Sequence, residues 1–236
     1  MSNRIVFACS GSADNLAAIP RLASALGAEV VALTLDVGQA AELEGVRQAA
    51  LAAGAVRAHV LDAREEFARH CLAASREDQA PSARPLIARK LVEVALIEGA
   101  TTVAHAGDEH DHADIEAAAR AFDRSIRVIA ANAGTGGVSP GVHTTLWERT
   151  PGRPELNEPA RLEIAFEGGL PVSVNGVPMT LTELIESVAT IAAAPAAVVF
   201  QAAHDALGAE AARASGATVC LELFKGQHRV LSAHHS

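Results

Sequence analysis

The chain has no tyrosine, one tryptophan and six phenylalanines among its 236 residues. A core with so few rings has to be packed from small aliphatic side chains, and alanine is abundant throughout. Basic residues are also scarce. Nineteen Lys and Arg stand against 28 Asp and Glu, giving a formal net charge of −9. That balance argues against a nucleic acid partner, because binding a phosphate backbone needs a basic surface, and equally against an anionic membrane surface. No run of about 18 apolar residues occurs, so no membrane span is expected. The N-terminal stretch lacks a basic region followed by a long apolar segment and does not read as a secretory signal. Cysteine is limited to Cys9, Cys71 and Cys220, odd in number and far apart. Neither a disulfide framework nor a metal pair follows from that spacing. A reducing cytoplasm is the simplest setting, with each thiol a small buried hydrophobe.

The most informative stretch is the start. The apolar run Ile5-Val6-Phe7-Ala8-Cys9 leads into Ser10-Gly11-Ser12-Ala13-Asp14 and then into a helical pattern. A loop of small residues between a strand and a helix N-terminus is suited to phosphate, because the first amides of the helix lack partners and its dipole favours negative charge. On residue chemistry alone, Ser10 and Ser12 either face a polyphosphate or simply cap the helix, with Asp14 in its first turn.

Strand and helix alternate over the first 130 residues. Strands are expected at Arg4–Ala8, Val30–Leu35, Ala58–Leu61, Thr102–Ala106 and Ile126–Ala130, and helices near 14–26, 40–53, 63–74, 83–98 and 112–122. Gly27, Gly54 and Gly99 fall where those helices should stop. Continuous apolar strands separated by helices imply a parallel sheet covered on both faces, an α/β doubly wound arrangement with its ligand at the carboxyl ends of the strands. Between Asn132 and Pro154 the pattern breaks into glycine and proline. Beyond it lie strands at Arg161–Phe166 and Pro171–Val174, a tight turn at Asn175-Gly176, helices near 181–193 and 198–213, and a closing hairpin of Thr218–Phe224 and Arg229–Leu231. The expected organisation is a nucleotide-binding domain over 1–131, a connection over 132–160, and a small α+β region over 161–236 that packs on the first domain or on another subunit.

These residues resemble the argininosuccinate synthase family, ATP-pyrophosphatase ligases of the PP-loop type. Ala8-Cys9-Ser10-Gly11-Ser12-Ala13-Asp14 stands where that family has Ala-Tyr-Ser-Gly-Gly-Leu-Asp. Val31 to Gln39, ending Asp36-Val37-Gly38-Gln39, matches the second strand and its Asp-Val-Gly-Gln end. Gly54-Ala55-Val56, Asp62 to Phe67, Ala83 to Ala88 and Val103-Ala104-His105 follow in order, as do Pro171–Gly176, Thr182–Ile185, Ala202-Ala203-His204 and Leu223-Phe224-Lys225-Gly226. The resemblance implies an adenine-nucleotide alpha hydrolase-like fold and a place in arginine biosynthesis. It implies ATP and Mg²⁺ as cofactors, small-molecule substrates and a homo-oligomer. The implied reaction has the ureido oxygen of citrulline displace pyrophosphate from ATP, after which the amine of aspartate displaces AMP.

Residue by residue, the resemblance assigns nucleotide binding to Ala8, Ser10, Gly11, Ser12, Asp14, Asn15, Leu35, Ala106 and Gly107. It assigns catalysis to Asp14 and His105, with Asp14 also reaching magnesium. Ser82, Arg84, Asp108, His112 and Thr150 fall at substrate positions. His105 reads equally as a hydrogen-bonded structural histidine, and Arg84 as a residue that pins a loop. Ser12 replaces the family's second glycine, at a cost of about 1–2 kcal/mol if that position needs a positive φ.

Departures from the family are concentrated after His105. Its Gly-x-Thr-Gly-Lys-Gly-Asn-Asp-Gln-x-Arg block, which holds aspartate and citrulline, reads Ala106-Gly107-Asp108-Glu109-His110-Asp111-His112-Ala113-Asp114-Ile115-Glu116 here. Ungapped alignment puts Asp108 for Thr, His112 for Asn, Ala113 for Asp and Glu116 for Arg. A cationic carboxylate clamp has become an acidic stretch, readable as a solvated helix start or as ligands for a divalent metal. Segments are missing after Asn132, after Ile191 and after Ala212. Three readings follow: an ATP-dependent carbon–nitrogen ligase whose second substrate has changed, a non-catalytic nucleotide-binding relative acting as a regulatory or partner subunit, or a shrunken enzyme that keeps the family's own reaction, which the substitutions make least attractive.

Overall fold

The structure is a computed structural model that describes residues 3–39, 42–76, 83–107, 109–131, 158–208, 216–225 and 227–235. The chain divides into two compact units that interleave in sequence. Unit 1 takes residues 1–36, 40–63 and 82–143; unit 2 takes 37–39, 64–81 and 144–236.

Unit 1 is a five-stranded parallel sheet. Its strands are β1 (Arg4–Ala8), β2 (Glu29–Asp36), β3 (Arg57–Asp62), β4 (Thr102–His105) and β5 (Arg127–Ala130), in the spatial order β3-β2-β1-β4-β5. The chain winds outward from β1 through β2 to β3, then restarts on the other side of β1 with β4 and β5. The register places Ala8 beside Leu33 and Phe7 beside Ala104. Side chains alternate across the pleat, so β1 supplies both faces. Ile5 and Phe7 pack with Ala18, Ile19 and Leu22 of α1 (Ala13–Leu26) and Ala50 of α2 (Leu43–Ala52). Val6 packs on the opposite face with Leu91, Val92 and Ala95 of α4 (Arg84–Glu98) and Ile115 and Ala119 of α5 (Glu109–Phe122). The expected doubly wound sheet is therefore present. Gly27 and Gly99, at φ 55° and 66°, close α1 and α4 in the left-handed conformation that glycine adopts without a Cβ penalty. Helix α5 begins three residues before the periodicity places it. The sequence there, Glu109-His110-Asp111-His112, carries no apolar residue, so periodicity does not reveal the start.

Unit 2 holds a second sheet, antiparallel, in the order β10-β9-β6-β7-β8. Its strands are β6 (Ala160–Glu167), β7 (Leu170–Val174), β8 (Val177–Pro178), β9 (Ala217–Phe224) and β10 (Gln227–His235). Asn175 and Gly176, at φ 50° and 76°, make the tight turn between β7 and β8. Helices α6 (Leu181–Ala192) and α7 (Ala196–Leu207) pack on the sheet, and α3 (Arg64–Arg76) packs on those helices. A capping box opens α6, with Thr180 and Glu183 each satisfying the other's backbone amide. Glu65 Oε2 of α3 accepts from both Thr182 N–H and Thr182 Oγ1–H at 3.2 Å. Strand β10 runs four residues past the expected Leu231. A bulge between Val230 and Ser232 shifts its register, and that shift hides the continuation from a strict period-two reading. No single described helix is long and apolar enough to cross a membrane.

Candidate functional site at the carboxyl edge of β1 and β4

Winding reverses between β1 and β4, and in an open parallel sheet the crevice beyond the carboxyl ends at such a reversal is where ligands bind. The residues there are Cys9 to Asn15 after β1 and His105 to Gly107 at the end of β4.

The loop after β1 is held by its own side chains. Cys9 N–H donates to Leu33 O at 2.8 Å, and buried Thr34 donates its hydroxyl to Cys9 O at 2.8 Å, so β2 fixes the loop's first residue. Asn15 is buried, and its Oδ1 accepts from Ser10 N–H at 2.8 Å and from Ser10 Oγ at 3.2 Å. Ser12 caps α1, its hydroxyl accepting from Asn15 N–H at 3.3 Å. Gly11 turns the chain at φ 81°, and a Cβ added there would come within 2.7 Å of Val46 Cγ2 on α2. Glycine is thus required at position 11 both by conformation and by space. Ser12 sits at φ −63° and ψ 155°, ordinary extended backbone. The strain anticipated for a residue replacing the family's second glycine does not arise, because the left-handed position is Gly11 alone among the two. Asp14 lies exposed in the first turn of α1, beside amides that no residue of the helix itself can satisfy. The expectation that Ser10 N–H faces a polyphosphate meets a loop in which that amide already donates to Asn15.

Cys9 is buried beneath this loop. Burial pushes its thiol up, offset only in part by the Gly11 amide, which keeps it protonated and inert near neutrality. Leu35 is half-buried near the end of β2 and packs on the core shared with α4 and α5.

On the other side of the reversal, His105 is only 2% exposed. Its Nδ1 accepts from Gly107 N–H at 3.0 Å, and its Nε2 lies 2.9 Å from His112 Nδ1 on α5. The two rings are 5.2 Å apart between centroids. Ala106 and Gly107 are buried beside them. Arg84 starts α4, ahead of a proline in its first turn. Ser82, Asp108 and Thr150 lie outside the described residues. Among the described residues no group of three or more His, Cys, Asp or Glu side chains converges as a metal site.

Beyond the expected Ser10, Gly11, Ser12 and Asn15, the loop also depends on Thr34 and Val46. Thr34 has a legible signal, being a lone hydroxyl in the aliphatic run of β2. Val46 has none, because nothing local tells which side chain of α2 will meet the loop. A second omission is Glu98. Its side chain is 1% exposed and bonds Arg57 at 2.9 Å, Arg4 at 3.2 Å and His59 at 2.9 Å. It follows Leu91 and Ala95 along the buried stripe of α4, so a carboxylate on an apolar face was the available signal.

A family model described as the argininosuccinate synthase N-terminal HUP domain matches residues 4–135, more than half of the chain. An argininosuccinate synthase of Oleidesulfovibrio alaskensis is 42% identical over 139 residues, covering 54% of this chain and 35% of that protein. One from Bacillus velezensis is 33% identical over 242 residues, covering 77% and 59%. One from Dehalococcoides mccartyi is 29% identical over 288 residues, covering 89% and 71%. The chain thus spans between about a third and three fifths of the length of the first two relatives. With a glycine-turned loop after β1, a winding reversal at β1 and β4, and a family model running from the first strand through the fifth, the chain belongs to the argininosuccinate synthase family.

Proposed function

We propose that unit 1 binds ATP at the reversal between β1 and β4 and that the chain is an ATP-dependent carbon–nitrogen ligase releasing AMP and pyrophosphate. The observation that carries this reading is the placement of the Ser10–Asn15 loop and the His105–Gly107 segment together at that edge. In the bound state Ser10, Gly11 and Ser12 line the polyphosphate, and the first-turn amides of α1 face its negative charge. Ala8, Leu35, Ala106 and Gly107 form the adenosine side through backbone groups, which tolerate changes of side chain. Asn15 acts through the loop it closes.

The exposed Asp14 carboxylate, an oxygen donor next to a phosphate site, fits a magnesium ion shared with the nucleotide. A magnesium ion held by Asp14 would supply positive charge against the polyphosphate. Catalysis by this chain is then mostly positioning: the loop holds the α-phosphorus in line with a carbonyl or ureido oxygen. That oxygen forms a bond to the α-phosphorus as the bond to the β-phosphate oxygen breaks. An amine then forms a bond to the activated carbon, and AMP leaves with the oxygen. The acidic stretch that follows His105 suits a neutral or basic amine better than aspartate. Ser82, Arg84, Asp108, His112 and Thr150 are the substrate positions in this reading, and a homo-oligomer is its proposed assembly.

The test is to mix the protein with ATP and Mg²⁺ and screen pairs of ureido or carbonyl compounds and amines for AMP and pyrophosphate. Equal release of both with one pair, weaker with citrulline and aspartate, is expected. Calorimetric ATP binding with no turnover across the screen overturns the ligase reading, and absence of ATP binding overturns the nucleotide site itself.

A further inference from the structure

The last turn of α4 is inside out. Glu98, a carboxylate, is buried, while Leu96 and Ile97 are 62% and 80% exposed. Phe122, the last residue of α5, is 54% exposed. Among the described residues these are the three most exposed large apolar side chains. They also lie at one end of unit 1. Helices α4 and α5 pack side by side, and Thr102 and Arg127, which open the strands after them, are register partners in adjacent strands. Both helices therefore end at the amino edge of the parallel sheet. Glu98 reaches Arg57 at 2.9 Å, which brings the exposed Val56 to the same end. Single exposed leucines need no explanation, but large apolar groups gathered at one end make a patch of the kind that a partner covers.

The charges around the patch select the kind of partner. The pairs Lys90–Glu93 and Glu116–Arg120 are neutral. At the edge itself Arg57, Arg124 and Arg127 stand against Glu98 and Asp123. This end is near balance in a chain of net charge −9, so the acidic excess lies elsewhere. Two copies repel through the acidic remainder of their surfaces but not through this end. A nucleic acid or an anionic membrane needs a strongly basic rim, and a strongly basic protein needs an acidic one. A rim of both signs around an uncharged centre is instead complementary to itself under two-fold symmetry.

We propose that Leu96, Ile97 and Phe122 form the centre of an isologous interface through which two copies of this chain associate. This rests on the homo-oligomer proposed above and gives it a face. The contact lies at the amino edge of the sheet, opposite the carboxyl edge proposed for ATP, so each copy keeps its own open nucleotide site. The inverted turn has a use in this arrangement. Glu98 is drawn inward and held by Arg4, Arg57 and His59. An unpaired carboxylate at the centre of an interface is costly, and its removal leaves aliphatic side chains to meet the partner.

The test is sedimentation velocity of the full chain over a range of concentrations, for the wild type and for Leu96→Glu, Ile97→Glu and Phe122→Arg. All three side chains are exposed, so the substitutions leave the core of the monomer intact. The wild type should associate as concentration rises. Each variant should weaken that association by about thirtyfold or more, the scale of a central interface residue. Val198→Glu, at an exposed apolar position of α7, should associate as the wild type does.

A wild type that stays monomeric overturns the homo-oligomer and the face together. An oligomer unmoved by the three variants, or weakened equally by Val198→Glu, overturns the face alone. Flotation with phosphatidylcholine vesicles, with and without phosphatidylserine, covers the other occupant. Capture of the wild type but not of Ile97→Glu gives the patch to a lipid surface and overturns the proposal. Calorimetry with ATP and Mg²⁺ should return the same affinity for the wild type and Ile97→Glu. Loss of ATP binding in the variant alone overturns the separation of the two edges.

Discussion

Gly11 is the residue on which the loop after β1 turns, and its replacement distinguishes conformation from contact. Gly11→Ala forces a Cβ into a left-handed position and against Val46. A loss of about 1–2 kcal/mol is expected from the backbone alone, with more from displacing Val46. Urea denaturation reads the first effect, and calorimetric titration with ATP and Mg²⁺ should show weakened binding. Ser12 behaves differently. Ser12→Ala removes the cap on α1 and should cost about 1 kcal/mol, whereas Ser12→Gly should cost only a few tenths. Restoring the family's glycine at position 12 is expected to bring no gain in ATP affinity, because the serine carries no strain at φ −63° that glycine could relieve. Small residues between a strand and a helix made this loop readable from sequence. The partners that hold it, Thr34 and Val46, come from β2 and α2, and local pattern does not reveal a tertiary neighbour.

Among the elements of unit 1, β1, β3 and α4 meet at a buried carboxylate. Burial alone would raise the Glu98 carboxyl, but hydrogen bonds from His59 and Arg57, aided by their charge, outweigh it and hold the group below the usual range. A group lowered on folding stabilises the protein above its unfolded value, near pH 4.3, and loses that contribution as pH falls through its folded value. Glu98→Gln should therefore cost about 1–3 kcal/mol near neutrality. The gap between variant and wild type should close as the pH drops below about 4, and thermal melts across that range check it. In unit 2 the bulge in β10 breaks the regularity of an edge strand, a device that discourages pairing with other chains. Deleting Leu231 should straighten the strand and raise the fraction of higher oligomers on size-exclusion chromatography. The parallel sheet was legible because buried strands read as unbroken apolar runs. The length of β10 was not, since its bulge breaks the alternation and its end is rich in histidine.

At the scale of the whole molecule, the sequence order of the elements and their packing disagree in one place. Helix α3 follows β3 directly and reads as one more crossover helix of the parallel sheet, yet it packs on α6 and α7. Periodicity reports that a helix has an apolar face, not which element that face will meet. A fragment ending at residue 131 would retain all five strands of unit 1 but leave Phe67, Ala68, Cys71 and Leu72 without α6 and α7. Hydrogen exchange on that fragment should show the amides of α3 exchanging freely while those of β1 and β4 stay protected. Protection of α3 in the fragment would show that it docks without its partners.

The same interleaving has a temporal side. Glu65 and Thr182 stand 117 positions apart, so during synthesis α3 leaves the ribosome long before the helices that receive it exist. Its apolar face waits in solvent while the strands of unit 1 are still being made, and closing so long a loop is slow compared with local folding. The chain should thus mature in two stages, and the interval between them is when it most needs shielding by a chaperone.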